Sequence, residues 1–145
     1  KVYRHVLERR KQILSTLAEE IDFTWQYYTL QKIRFDDRIE LTSAIDPALR
    51  NWRIPSMSLQ TLVENAVKHN SITGGNPLHI RIRTEGESFL IENNYTPRSD
   101  GDKESLGMGL ERIRSVYRFY TEENISISVG AGTFRCRLPL LPPEK

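Results

Sequence analysis

Between Leu59 and His69 the sequence admits one regular conformation. Leu59, Leu62, Val63, Ala66 and Val67 fall at i, i+3, i+4, i+7 and i+8, the spacing of a helix that buries one continuous apolar stripe. At about 100° per residue, Thr61, Glu64, Asn65, Lys68 and His69 project from the other side within an arc of roughly 140°. An acid, an amide, an amine and an imidazole therefore share one face. Pro55 and Ser56 mark the start, since proline suits a first helical turn and a serine hydroxyl accepts from the unpaired N–H groups there.

The rest of the chain places this helix between strands. Upstream, Thr16 and Glu19 have the form of a capping box, followed by Leu17, Ile21, Trp25 and Tyr28 at helical spacing. Residues 1–14 read as a shorter helical stretch, and Arg38 to Thr42 alternates polar and apolar like a half-buried strand. Downstream, Ser71 to Pro77 is a loop by composition. Leu78, Ile80 and Ile82 then alternate with His79, Arg81 and Arg83, and Phe89 to Asn93 completes a hairpin. From Tyr95 to Leu106 hydrophobic periodicity vanishes and an unstructured loop is expected. Gly107-Met108-Gly109 leads into a helix with apolar Leu110, Ile113, Val116, Tyr117 and Tyr120, and a second hairpin turns at Gly130-Ala131-Gly132. Hairpins and helices without strict alternation predict an α+β fold: a two-layer α/β sandwich, one mixed sheet with helices on one face, preceded by N-terminal helices.

Composition narrows the function. With 145 residues, 38% apolar, and no apolar run long enough to span a bilayer, one soluble domain is expected. Twenty-one basic against 19 acidic residues exclude the strong positive field of most nucleic-acid binders, so no nucleic-acid partner is expected. The single cysteine, Cys136, cannot form an internal disulfide, reads as a buried small residue, and makes the cytoplasm the default location. Six of eight glycines lie between Gly74 and Gly109, around the least hydrophobic part of the chain.

The polar helix face can carry phosphate chemistry. An asparagine carbonyl such as that of Asn65 is a hard neutral ligand suited to magnesium, which takes few protein ligands when it also binds substrate phosphates. Glu64 could polarise a water or hydroxyl, while Lys68 and His69 could contact phosphate oxygens. The alternative is an ordinary surface pair of Glu64 with Lys68 and an exposed Asn65. Gly107 and Gly109 could present backbone N–H groups at a helix start as a phosphate seat, or simply end a flexible loop.

The stretch from Ile54 to His69, containing Leu62-Val63-Glu64-Asn65-Ala66-Val67-Lys68-His69, resembles the N-box of the LytS-type sensor histidine kinases. The ATP-binding domain of that family belongs to the GHKL superfamily with the Bergerat fold. Leu106 to Ile113 resembles the family's second glycine box, Gly130 to Phe134 its GxGT turn, and Tyr28 to Phe35 the helix before the nucleotide domain. The resemblance implies a helical segment at 1–36 leading from the phosphoacceptor region and an ATP-binding catalytic domain at 37–145. It implies that Asn65 coordinates magnesium, that Glu64 lies beside the reacting phosphate, and that Lys68 and His69 contact phosphates. Gly107 and Gly109 would anchor the ATP lid, and Thr133 would support adenine. ATP and Mg2+ are the implied cofactors. The implied partners are the phosphoacceptor helix of the same sensor and a response regulator, in a full-length protein that is a membrane-anchored homodimer.

Two departures qualify this. Asn93 stands where the family carries an aspartate that accepts from the adenine amino group, and the glycines that follow it there are missing. An amide oxygen still accepts, at a cost of about 1 kcal/mol or roughly fivefold in affinity. The resemblance also places the acceptor histidine before Lys1, and His5 stands at a tyrosine position of a later motif. A degenerate domain acting as a dimerisation or signalling module, or a GHKL ATPase without a protein substrate, are the alternatives.

Overall fold

The structure, a computed structural model, describes residues 13–97 and 103–143, of which 103–108 as backbone only. Helix α1 (Leu17–Arg34) begins with the expected capping box: Glu19 N–H donates to the Thr16 hydroxyl, and the Glu19 carboxylate accepts from Thr16 N–H at 3.0 Å. Two of the donors at this helix start are thereby satisfied, and Leu17 and Ala18 N–H donate to Trp52 O and Arg50 O. Just before it, Leu14–Thr16 forms strand β1 and not the end of a helix; the remainder of the helical stretch expected over 1–14, and His5, lie outside the described residues.

The main sheet has the order β2-β4-β5-β7-β6, from β2 (Ile39–Ala44), β4 (Leu78–Glu85), β5 (Ser88–Asn94), β6 (Ser126–Gly130) and β7 (Thr133–Pro139). β2 runs parallel to β4 and the other pairings are antiparallel, so the sheet is mixed as expected. Each hairpin turns on residues with positive φ: Gly86 in the first, Ala131 and Gly132 in the second. Two consecutive left-handed residues match the twist of paired strands, and glycine carries the larger φ without strain. A small second sheet pairs β1 with β3 (Arg53–Pro55).

Strand alternation sorts the side chains into two faces. Leu78, Ile80, Ile82, Ile91, Cys136 and Leu138 are buried and share one core with Leu59, Leu62, Val63, Ala66 and Val67 of helix α2 (Ser58–His69). Helix α3 (Lys103–Tyr117) adds Leu110, Ile113 and Tyr117. Leu17 and Tyr28 of α1 belong to the same core, although α1 precedes the boundary expected at residue 36. The opposite sheet face carries Glu92 paired with Arg83 and Arg135, and Arg137 paired with Glu85.

Two helix starts differ from expectation. Ser56 does not cap α2: the cap position is Met57, in the left-handed region at φ 69°, and its side chain makes no capping bond. Ser58 Oγ instead donates back to Pro55 O at 2.6 Å. The glycine pair does not precede α3 but lies inside it, because the helix already begins at Lys103.

Candidate functional site

The polar face of α2 divides into two lines, because residues four apart stack on a helix and neighbours diverge by about 100°. Asn65 and His69 form one line and Glu64 and Lys68 the other. The first line turns into a pocket between α2 and the ends of β5 and β7, lined by Asn65, Ala66, His69, Asn70, Asn93, Tyr95 and Phe134. His69 and Asn93 are buried there. The second line faces outward: Glu64 and Lys68 are exposed and absent from the lining. No ion pair joins them; Gln60 Nε2 donates to Glu64 Oε1 at 2.8 Å. Tyr27 of α1 stands near that carboxylate, and burial first, then the charge of Glu64, raises its phenol pKa to about 12.

The pocket floor is held by paired amides. Asn94 Oδ1 accepts from His79 N–H at 2.7 Å and its Nδ2 donates to Pro77 O at 2.9 Å, tying the end of β5 to the start of β4. Asn93 Nδ2 in turn donates to Asn94 O at 2.9 Å. A carbonyl only accepts, so this bond fixes the amide orientation of Asn93 and leaves Oδ1 as its second polar group. Asn65 differs: its Nδ2 is buried with no hydrogen-bond partner.

The pocket rim is stitched to the end of α2. Asn70 Nδ2 donates to Ala66 O at 2.8 Å, and Asn70 Oδ1 accepts from Thr96 N–H at 2.6 Å. Ser71 N–H donates to Thr96 O, and Asn76 Nδ2 bonds both Ser71 O and the Thr96 hydroxyl. The rings of Tyr95 and Phe134 stand 6.3 Å apart at 44° and form the remaining wall.

Of the residues expected from sequence, Asn65, His69 and Asn93 therefore meet in one pocket. Thr133 sits opposite Asn94 in the β5–β7 register, next to Phe134 but outside the lining. Gly109 lies within α3 where that helix meets α2, and a Cβ there would stand 2.6 Å from Thr61 Cγ2. A glycine-led helix terminus as phosphate seat is not what forms, since the pair occupies the helix interior. Residues 98–102, within the expected lid, lie outside the described residues. The sequence reading missed Asn70, Tyr95 and Phe134. A signal for Asn70 existed, since an asparagine ending a helix commonly turns its amide back on the last carbonyls.

This combination of a mixed five-stranded sheet, helices on one face and a pocket at the polar side of α2 defines an α+β sandwich of the Bergerat type. Residues 1–39 match the histidine kinase family model. The chain is 32% identical over 133 residues to sensor histidine kinase BtsS of Escherichia coli, covering 87% of the chain and 23% of BtsS. It is 31% identical over 135 residues to sensor histidine kinase YesM of Bacillus subtilis, covering 88% of the chain and 22% of YesM. The catalytic domain of histidine kinase ThkA superposes with a TM-score of 0.57 at 15% identity, over 89% of this chain and 97% of that one. ThkA has also been solved in complex with a response regulator protein, TrrA. The chain is a homologue of sensor histidine kinases and carries the fold of their catalytic domains. It spans under a quarter of the length of these relatives. No helix among the described residues is long and apolar enough to cross a membrane.

Proposed function

We propose that this chain is the ATP-binding catalytic part of a sensor histidine kinase, which transfers the γ-phosphate of ATP to a histidine outside residues 1–145. The observation that carries this reading is the convergence of Asn65 and His69 from α2 with Asn93 from β5 on one pocket. Two features of the side chains fit the ligands. Asn65 has an unpartnered buried Nδ2, a donor that suits an acceptor such as a phosphate oxygen, and its carbonyl oxygen is of the hard neutral kind that magnesium accepts. Asn93 has its Nδ2 committed to Asn94 O, so its oxygen is the group left for the adenine amino group.

In this reading Asn65 would hold the metal, and magnesium would supply the positive charge that offsets the phosphates. His69 would contact phosphate from the pocket wall and Lys68 from the exposed flank of α2. Glu64, steadied by Gln60, would stand beside the reacting phosphate. Gly107 and Gly109 would anchor the lid and let it approach the phosphates, and Thr133 would support adenine through its hydroxyl. Residues 1–36 would lead from the acceptor-bearing region and 37–145 hold the nucleotide. The acceptor helix, the membrane anchor and the dimer contacts would belong to the rest of a longer protein, and a response regulator would take the phosphoryl group from the histidine, as the ThkA–TrrA pairing suggests for a fold relative.

Incubating the full-length protein with γ-labelled ATP tests this. Label on a histidine, stable to alkali and released by acid, is the expected result. Steady phosphate release by the chain alone, with no protein ever labelled, would replace the kinase reading with that of an ATPase.

A further inference from the structure

Helix α2 carries Asn65 and His69, yet its own first turn provides no side-chain cap. The missing partner comes from α1. Glu20, one helical residue past the capping box of α1, is 1% exposed. Its Oε2 accepts from Met57 N–H at 3.1 Å and its Oε1 from Leu59 N–H at 3.2 Å. A carboxylate at this end of a helix satisfies orphan donors and meets the positive end of the dipole. The third helix closes the junction: Arg112 of α3 donates from Nη2 to Ser56 O at 2.7 Å, and its charge acts on Glu20. Ser15 and Ser56 share a buried hydroxyl bond of 2.7 Å beside it.

We propose that Glu20 is a positioning residue for the nucleotide pocket: its buried carboxylate clamps the first turn of α2 to α1 and so sets where Asn65 stands. The inference rests on the nucleotide reading given above. Its leverage is geometric. Asn65 lies six residues beyond Leu59, about 9 Å along a helix rising 1.5 Å per residue, so a tilt of about 10° at the clamp moves Asn65 by roughly 1.5 Å. Displacements of that size are enough to lose a binding geometry. α1 lies within the segment that matches the histidine kinase family model, so the clamp ties that segment to the pocket.

Two variants test it, with a control of similar structural kind. Glu20→Ala removes both acceptors and Glu20→Gln keeps one; Tyr28→Phe removes an unrelated buried bond from α1, that of the Tyr28 hydroxyl to Ile39 O. MgADP affinity should fall about tenfold in Glu20→Ala, by an intermediate factor in Glu20→Gln, and less than twofold in Tyr28→Phe. Asn65→Ala should cost less affinity in the Glu20→Ala background than in the parent chain. Without nucleotide, amide exchange at Met57 and Leu59 should accelerate in the Glu20 variants alone. If Glu20→Ala does not fold, Glu20→Gln carries the comparison. Affinity within twofold of the parent in a folded Glu20 variant, or an effect matched by Tyr28→Phe, overturns the proposal. If the parent chain binds no MgADP, the nucleotide reading fails, and unchanged exchange at Met57 and Leu59 would then refute the clamp as well.

Discussion

A methyl group placed on Gly109 would stand 2.6 Å from Cγ2 of Thr61, so α3 meets α2 at a point where a side chain on α3 does not fit. Gly109→Ala gains about 1 kcal/mol of helix propensity but overpacks the contact at a cost of about 1–3 kcal/mol. A net loss of roughly 1 kcal/mol in urea unfolding is expected. Thr61→Ser, which removes the opposing methyl, should restore stability in the Gly109→Ala background. Equal effects of Gly109→Ala with and without Thr61→Ser would show that the two residues do not meet.

In the proposed nucleotide reading, Asn93 would offer adenine a neutral oxygen where a charged one would hold it more strongly. Asn93→Asp should tighten ADP binding about fivefold in calorimetric titration, because a charged acceptor adds about 1 kcal/mol. Weaker binding in Asn93→Asp would mean that this oxygen does not meet the adenine amino group.

Glu92 lies almost fully buried on the outer sheet face, bonded by Arg83 and, at 2.9 Å, by Arg135. Burial pushes its carboxyl pKa up, but the two guanidinium groups outweigh it and hold the group below its usual value of 4.5. A lowered folded pKa contributes stability that is complete above that usual value and disappears as pH falls toward the folded one. Glu92→Gln should therefore cost about 1–2 kcal/mol at pH 7, a moderate figure because both arginines are partly solvated. The gap between the two proteins should narrow between pH 5 and pH 3. Denaturant unfolding over that range checks it, and a gap independent of pH would contradict the ion-pair account.

Burial raises the Cys136 thiol pKa to about 12 against a smaller opposing effect of Arg114. Almost no thiolate exists at pH 8, and the sulfur is shielded by the core. Iodoacetamide should leave the native chain unmodified and label it fully in denaturant. Rapid native labelling would place Cys136 at the surface.

Local patterns with a single physical cause were legible in the sequence. The α2 stripe, the capping box at Thr16 and Glu19, and both hairpins follow from spacing and turn residues within a few positions. Asn65, His69 and Asn93, expected to serve metal, phosphate and adenine, line one pocket. What escaped depended on partners far along the chain. Glu20 carries no local signal, because its bonding partners, Met57 and Leu59, lie 37 and 39 residues away. β1 and β3 are three residues each, too short to show alternation. The start of α3 was missed because Lys103 to Ser105 carry no apolar stripe, and Gly109, one of the pair that suggested a helix start, instead permits close helix packing. Helical periodicity also placed Glu64 and Lys68 with Asn65, whereas an arc of that width reaches both the pocket and open solvent.

Asn65 holding magnesium for a nucleotide seated in this pocket is the central proposal. Calorimetric titration of ADP with and without magnesium, on the parent chain and on Asn65→Ala, measures this directly. Binding at or below millimolar concentration, strengthened by magnesium in the parent chain and no longer strengthened in Asn65→Ala, is the expected result. Absence of binding to the parent chain, or an undiminished magnesium effect in Asn65→Ala, would contradict it.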